Sequence, residues 1–408
     1  MTTTSPRTLV DLTRTELARL GREWMLFGHL YDRALMPQIA IRFGMEEIVP
    51  VAINEWRGAS PVYTRRMRRL MGIDGDGVSA ICKALQLDVG FVHQYMDVGY
   101  RISDEAHAEF WLNHCGALMD VEPQGEEMVV NMCHHIEDPT FDATAVATNP
   151  RARIRPIHRP PRVPADRHPH CHWALTIDPT ADPIVADPLT DRVGELPIAG
   201  VPNAVPADRE PGGWRDYSGP FDPEFRLECL SQGALVAVLR EFSMQCLLLS
   251  ASAELHLAGR QDPAVVRDAM ADQWAGASWV AAERIARGLG IDGGGLDAVL
   301  AVLAVHPGIP PCVDLAIART DDAGATVTVE ASREVLDAEA PGWIGLLARD
   351  EPRGIAAIAQ AVEPRATVSV TGPHTFTIHV DPSHAPVVTP SSVELTRIST
   401  AASWTFRD

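Results

Sequence analysis

An α+β fold made by tandem duplication of one domain, with N-terminal helices packed on an antiparallel sheet, is predicted by three features of the 408-residue chain. The first is internal repetition: Trp56-Arg-Gly-Ala-Ser60 recurs as Trp274-Ala-Gly-Ala-Ser278, and Gly72-Ile-Asp-Gly75 as Gly290-Ile-Asp-Gly293, both 218 positions later. The same offset aligns Arg22-Glu23-Trp24 with Arg240-Glu241-Phe242 and Gly90 with Gly308. It shrinks to 214 at Asn149-Pro150-Arg151-Ala152 against Glu363-Pro364-Arg365-Ala366, and to 203 at Asp178-Pro179 against Asp381-Pro382. The second feature is a three- and four-residue apolar spacing in the first half of each copy. The third is strand-like alternation in the second half.

In chain order, Leu17, Leu20, Trp24, Phe27 and Tyr31 mark a first amphipathic helix, and Val78, Ile81 and Leu85 another after the glycine-rich break. Gly72 to Gly77 is too short and too acidic for a phosphate loop and reads as a helix-helix turn. Ala152, Ile154, Pro156 and His158 share one face of a strand, and Cys171, Trp173, Leu175 and Ile177 one face of the next. Copy two repeats them as Ala366, Val368, Val370 and Phe376, Ile378, Val380. The first repeat is placed at residues 12–179 and a Pro/Asp-rich linker or clamp at 180–230. The second repeat follows at 231–382 and a C-terminal tail at 383–408.

Each half is long enough to bury a core of its own. A net charge of −19 disfavours nucleic acid and acidic membranes as partners, which reward a basic face, and leaves a small-molecule substrate open. The first 23 residues lack a signal-like apolar run, and no later segment is read as a span, so the expected location is cytoplasmic. Seven scattered cysteines suit reduced thiols.

Eight of the fifteen histidines and three of the seven cysteines fall between His107 and His172. Thiolate, imidazole and carboxylate are the donor set for a divalent transition metal such as zinc or manganese, although the spacing fits no strong zinc signature. Cys115, Cys133, His158 and Cys171 are the candidate ligands: His158 and Cys171 are expected to converge at a hairpin mouth, with Cys133 approaching on a short helix. Glu137 falls one helical turn from Cys133. Copy two carries Ser332 and Arg333 for His114 and Cys115, Leu347, Ala348 and Arg349 for Cys133 to His135, and Gly372 for His158. It retains Glu351 for Glu137. A cluster that one copy lacks is not needed for packing, so chemistry is assigned to the first copy. Any one thiol alone is more often core than ligand, and His134, His168, His170 and His172 read as solvated loop. Of the arginines between Arg151 and Arg167, most read as a solvated strand face, and Arg155 is the candidate for holding a substrate carboxylate.

In its helices-first order, its cysteines (Cys115, Cys133 and Cys171), the acidic pair Glu137 and Asp138, and its Asn149-Pro150 turn, residues 12–178 resemble the L-2-amino-thiazoline-4-carboxylate hydrolase-like family. They are distantly similar in outline to vinyl-reductase-type small-molecule-binding domains. The resemblance implies hydrolysis at a C–N or C–S centre such as a cyclic amidine or thiazoline. With a metal activating water, Glu137 or Asp138 would be the base; without one, Cys133 would be the nucleophile and His135 or His158 its base. Two alternatives are a metal- or ligand-binding protein without catalysis, and a scaffold of a biosynthetic pathway.

Overall fold

The computed structural model describes residues 6–407. The expected apolar stripe forms α1 (Arg14–Phe43), which starts at a box in which Thr13 accepts from the Glu16 amide and Glu16 accepts from that of Thr13. α2 (Ile48–Leu70) and α3 (Val78–Leu85) follow. Gly72 and Gly75 between them take φ of 60° and 86°, and Gly290 and Gly293 of the second copy repeat the turn at 62° and 84°. Glycine alone takes this left-handed backbone at low cost.

β1 (Met96–Asp104) and β2 (His107–Cys115) form a hairpin. The chain then crosses over through α4 (Gly116–Val121), α5 (Glu126–Val130), a π-helical turn (Asn131–Ile136) and α6 (Glu137–Val146) to β3 (Ala152–His158) and β4 (Cys171–Ile177). After α7 (Pro188–Glu195), the second copy supplies α8 (Gln232–Leu257), α9 (Pro263–Gly288), α10 (Leu296–Leu303), β5 (Asp314–Arg319) and β6 (Gly324–Glu330). It continues through α11 (Arg333–Leu336), α12 (Ile344–Ala348) and α13 (Arg353–Val362) to β7 (Ala366–Gly372) and β8 (Thr375–Val380), and α14 (Ser391–Thr396) and α15 (Thr400–Ser403) end the chain. The two antiparallel sheets have equivalent orders, β1-β2-β4-β3 and β5-β6-β8-β7, the arrangement that duplication requires.

The halves do not bury separate cores. α1 lies along α9 and α2 along α8, while α1 scarcely touches α2 and α8 scarcely touches α9. Helix α8 explains why. It is apolar on all sides and long enough to cross a membrane, a feature missed in the sequence reading, yet 94% of its most apolar window is buried in protein. A helix without a polar face needs neighbours all round, and the first copy provides them.

Two buried arginines lock this exchange. Arg66 of α2 makes a two-pronged pair with Glu241 of α8 (3.0 and 2.6 Å) and donates to the carbonyls of Ala199 (2.7 Å) and Val201 (2.8 Å). Arg284 of α9 does the same with Glu23 of α1 (2.6 and 3.3 Å) and the carbonyls of Ala402 (3.2 Å) and Trp404 (2.7 Å). The pairs Arg66/Arg284 and Glu23/Glu241 are each 218 apart, and Ala199/Ala402 and Val201/Trp404 are each 203 apart. The contact is therefore made twice about a pseudo-twofold axis, as in a symmetric dimer fused into one chain.

The repeat accordingly runs past the expected ends at 179 and 382. α7 and α14 are equivalent at the 203 offset, and each packs on a glycine of the long helices: Leu189 against Gly58, Ser392 against Gly276. An added Cβ would approach Leu189 Cγ to 2.9 Å at Gly58 and the Ser392 carbonyl oxygen to 2.8 Å at Gly276. Small residues there allow the close approach. What remains of the linker wraps the surface, with Tyr217 and Phe225 buried and stacked at 4.8 Å. Lys83, the sole lysine, donates to the carbonyls of Tyr217 and Gly219.

Glu241→Ala leaves the Arg66 guanidinium buried without its counter-charge and is expected to cost about 3 to 5 kcal/mol in chemical denaturation. Glu23→Ala is expected to cost less, because its carboxylate is more exposed (13% against 2%). Residues 1–230 produced alone, with the inner faces of α1 and α2 uncovered, are expected to self-associate or aggregate in sedimentation and to become soluble as a heterodimer when produced with residues 231–408.

Candidate functional site

A cavity of about 1000 Å³ lies in the first copy, bounded by α1, α2, the segment from α4 to α6 and, from the chain's far end, Leu395 to Thr400. Met45 (62% exposed) and Ile398 (72%) stand at its mouth. Met36, Met45, Met96, Met119, Met128 and Met132, half of the chain's methionines, line it with Trp56, Phe91 and Phe141.

Its ion pairs centre on Arg33 of α1. Arg33 is paired with Asp32 (2.9 Å) and Asp120 (3.1 Å), so the only arginine in the wall is neutralised twice. Asp120 also accepts from the Ser399 hydroxyl (2.7 Å) and from the amide (2.7 Å) and hydroxyl (2.6 Å) of Thr400, which fixes the C-terminal segment over the cavity. Behind Asp32, Glu55 is fully buried. Burial and then the Asp32 charge push its pKa well above the usual carboxyl range, so it keeps its proton at neutral pH and donates it to Asp32. His29, held neutral by burial and then by Arg33, lies within 3.2 Å of the Gly90 carbonyl through Nε2. Burial raises Asp88 to about 6, against hydrogen bonds from the Gly90 amide (2.7 Å) and the Tyr63 hydroxyl (3.2 Å).

Glu137, expected from sequence, does face this cavity. Its Oε2 is buried without a hydrogen-bond partner, and burial raises its pKa to about 8, against the lowering effect of Arg159. The other expected residues stand elsewhere. Cys115, Cys133 and Cys171 are buried behind the wall and do not line the cavity. Burial and then the Glu137 charge raise all three thiols, Cys115 to about 12, so at neutral pH they are protonated core residues and not nucleophiles. The Cys115 sulfur accepts from the Leu118 amide at 3.3 Å and caps α4.

His158 does not converge with Cys171. A bulge between Pro156 and His158 places it opposite His172, its ring edge-on to that ring at 6.0 Å, on the other face of the sheet from Cys171. His135 is exposed, Asp138 is paired with Arg159 (2.6 Å), and Arg155, half exposed, is paired with Asp142 (2.8 Å) outside the cavity. His170, read as solvated, is buried beside His114. Among the described residues no three His, Cys, Asp or Glu side chains gather closely enough to share an ion, so the expected metal ligands do not fit a metal and no step is routed through one.

Matching the chain with protein-family models, characterised proteins and solved structures finds no counterpart. The second copy is therefore the available reference. At the 218 offset it has Leu247 for His29, Ser250 for Asp32, Ala251 for Arg33 and Gln273 for Glu55. Trp274, the counterpart of the wall residue Trp56, is fully buried against Gly354, which stands where the first copy has the wall residue Thr140. Copy two fills with indole and neutral amide what copy one leaves as cavity and charge.

Trp274→Ala is expected to cost about 3 to 5 kcal/mol as a large-to-small core change, read by denaturant melts. The pH dependence of stability follows from the buried groups. His29, His93 and His306 have folded pKa values lowered by burial, so they disfavour folding only below the unfolded value near 6.5. Glu55, Glu137 (about 8) and Glu254 (about 7) are raised by burial. Their stabilising protons are held below about pH 4.5 and lost as pH climbs through the folded values. From pH 6.5 to 8 these raised carboxyls give up stabilising protons, so Tm is expected to fall across that window. Glu55→Gln, the residue of copy two, is expected to flatten the fall.

Proposed function

We propose that the chain binds a small, mainly apolar molecule in the cavity of the first copy. The observation that carries this reading is the cavity itself: its volume suits a small-molecule site and its body is apolar with a few fixed polar groups. Methionine supports the reading further, because unbranched thioether side chains adapt to the shape of what they enclose. Saturable binding of the neutral probe N-phenyl-1-naphthylamine, followed by its fluorescence, tests it. About one probe per chain is expected, with binding abolished by Thr140→Trp, which fills the cavity from α6, at little change in Tm. Unsaturable binding, or binding that Thr140→Trp leaves intact in a folded protein, would remove the reading.

One observation favours hydrolysis as a second reading: Glu137, a carboxyl poised near neutrality on the cavity wall, has the pKa a general acid or base requires. In that role it would move a proton to or from a bound C–N or C–S compound of the kind the family resemblance implies. The buried thiols are left out of the chemistry. For any thiazoline or cyclic amidine turned over, Glu137→Gln is expected to lower kcat by roughly 10²- to 10⁴-fold. Cys133→Ser is expected to leave kcat within a few-fold, and the reverse order in steady-state kinetics would restore Cys133 as the reacting group.

A further inference from the structure

We infer that the ligand of this cavity carries a protonated nitrogen, an alkyl or aryl amine whose apolar body lies among the methionines and whose ammonium hydrogen-bonds Glu137. The inference rests on the cavity-binding reading and adds the chemical class. Among the buried side-chain polar atoms of the wall, one acceptor is unanswered. Asp32 and Asp120 are paired with Arg33, Asp120 is capped again by Ser399 and Thr400, Asp88 is held by Tyr63 and Gly90, and His29 stands on the Gly90 carbonyl. Glu137 Oε2 is buried with no partner. The nearest guanidinium, Arg159, bonds Asp138 at 2.6 Å and forms no hydrogen bond to Glu137. A buried acceptor left open is costly, and a donor arriving with the ligand relieves that cost.

The charge of the wall selects among donors. Arg33 is its only arginine and its positive charge is cancelled by two carboxylates. A ligand anion would meet the Asp32 and Asp120 carboxylates with no free cation in the wall, whereas an ammonium finds an acceptor in Glu137, which releases its proton as the cation arrives. The groups facing Glu137 are consistent with this: Asp138 and the uncharged thiols Cys115, Cys133 and Cys171 provide no competing positive charge, and Arg159 is already paired. The carboxylate substrate expected from sequence has no such reception, since Arg155 lies outside.

Three probes of one length separate the possibilities: n-octylamine, n-octanol and n-octanoate, each titrated by calorimetry at pH 7 into the full chain and into Glu137→Gln and Glu137→Met. The expected result is octylamine about tenfold or more tighter than octanol, with octanoate weakest. In both variants the preference for octylamine over octanol is expected to be lost. Two variants are used because glutamine keeps the shape and methionine matches the lining, so a folding defect in one leaves the other. Octanol binding as tightly as octylamine would overturn the inference and leave the cavity reading standing. So would octylamine binding that both variants keep, which would mark attraction to the acidic surface. Failure of all three probes to bind would remove the cavity reading and this inference with it.

Discussion

The exchange of long helices between the two copies depends on two guanidinium groups. Arg66 and Arg284 each join three parts of the chain: their own helix, the first helix of the other copy through Glu241 or Glu23, and the strap that ends their own copy through its backbone carbonyls. Only arginine presents enough donors in a fixed plane to hold a carboxylate on one edge and carbonyls on the other. Because Arg284 anchors Ala402 and Trp404, the strap of copy two runs back over copy one and delivers Ser399 and Thr400 to Asp120. The cavity is thus closed by residues 279 and 280 positions beyond the Asp120 they bond, and its shape is a consequence of the pseudo-symmetric lock.

Symmetry of the frame makes the asymmetry of the contents informative. Both copies bring a tryptophan of the second long helix toward the helix before the third strand. In copy two Trp274 reaches Gly354 and the space is filled; in copy one Trp56 and Thr140 line an open space. Asp32, Arg33 and Glu55 in copy one correspond to Ser250, Ala251 and Gln273 in copy two. Buried ionisable groups are a poor way to stabilise a core, and the fold plainly accommodates neutral residues at these positions. Their presence on one side alone identifies the side where binding is to be sought.

Most of the frame was legible in the sequence, and the site was legible only in part. Constant offsets with identical glycines place the helices, the turns at Gly72 and Gly290, and the equivalence of the two sheets. The straps escaped because Ala199 and Ala402 are the only identical residues in the aligned segments 188–200 and 391–403. Their equivalence lies in what they touch. Density of cysteine and histidine drew attention to the copy that holds the cavity and to Glu137, but the thiols turn out to face the core and a bulge at Pro156 sends His158 to the opposite face. Strand alternation assumes an unbroken register, and no pattern in the sequence announces one extra residue. The acidic set on α1 and α2 was missed although its signal was present. Asp32 and Glu55 interrupt apolar helices, and the same comparison of copies applied to carboxylates would have found Ser250 and Gln273 in their place.

Glu55 is pushed well above the usual carboxyl range by burial and then by the Asp32 charge, and Glu137 is raised to about 8 by burial with its Oε2 left unpartnered. These two conditions differ in kind. The first is closed within the protein: the carboxyls answer each other and Arg33 answers Asp32. The second is open, since Arg159 is turned to Asp138 and the neighbouring thiols carry no charge at neutral pH. A fold whose second copy is filled can carry both, because the long helices of the two copies pack on each other, α1 along α9 and α2 along α8. The duplicated partner, having filled its own cavity, supports the hollow one through α8, α9 and the strap, and the open carboxyl is the group in that hollow which only an incoming molecule can satisfy.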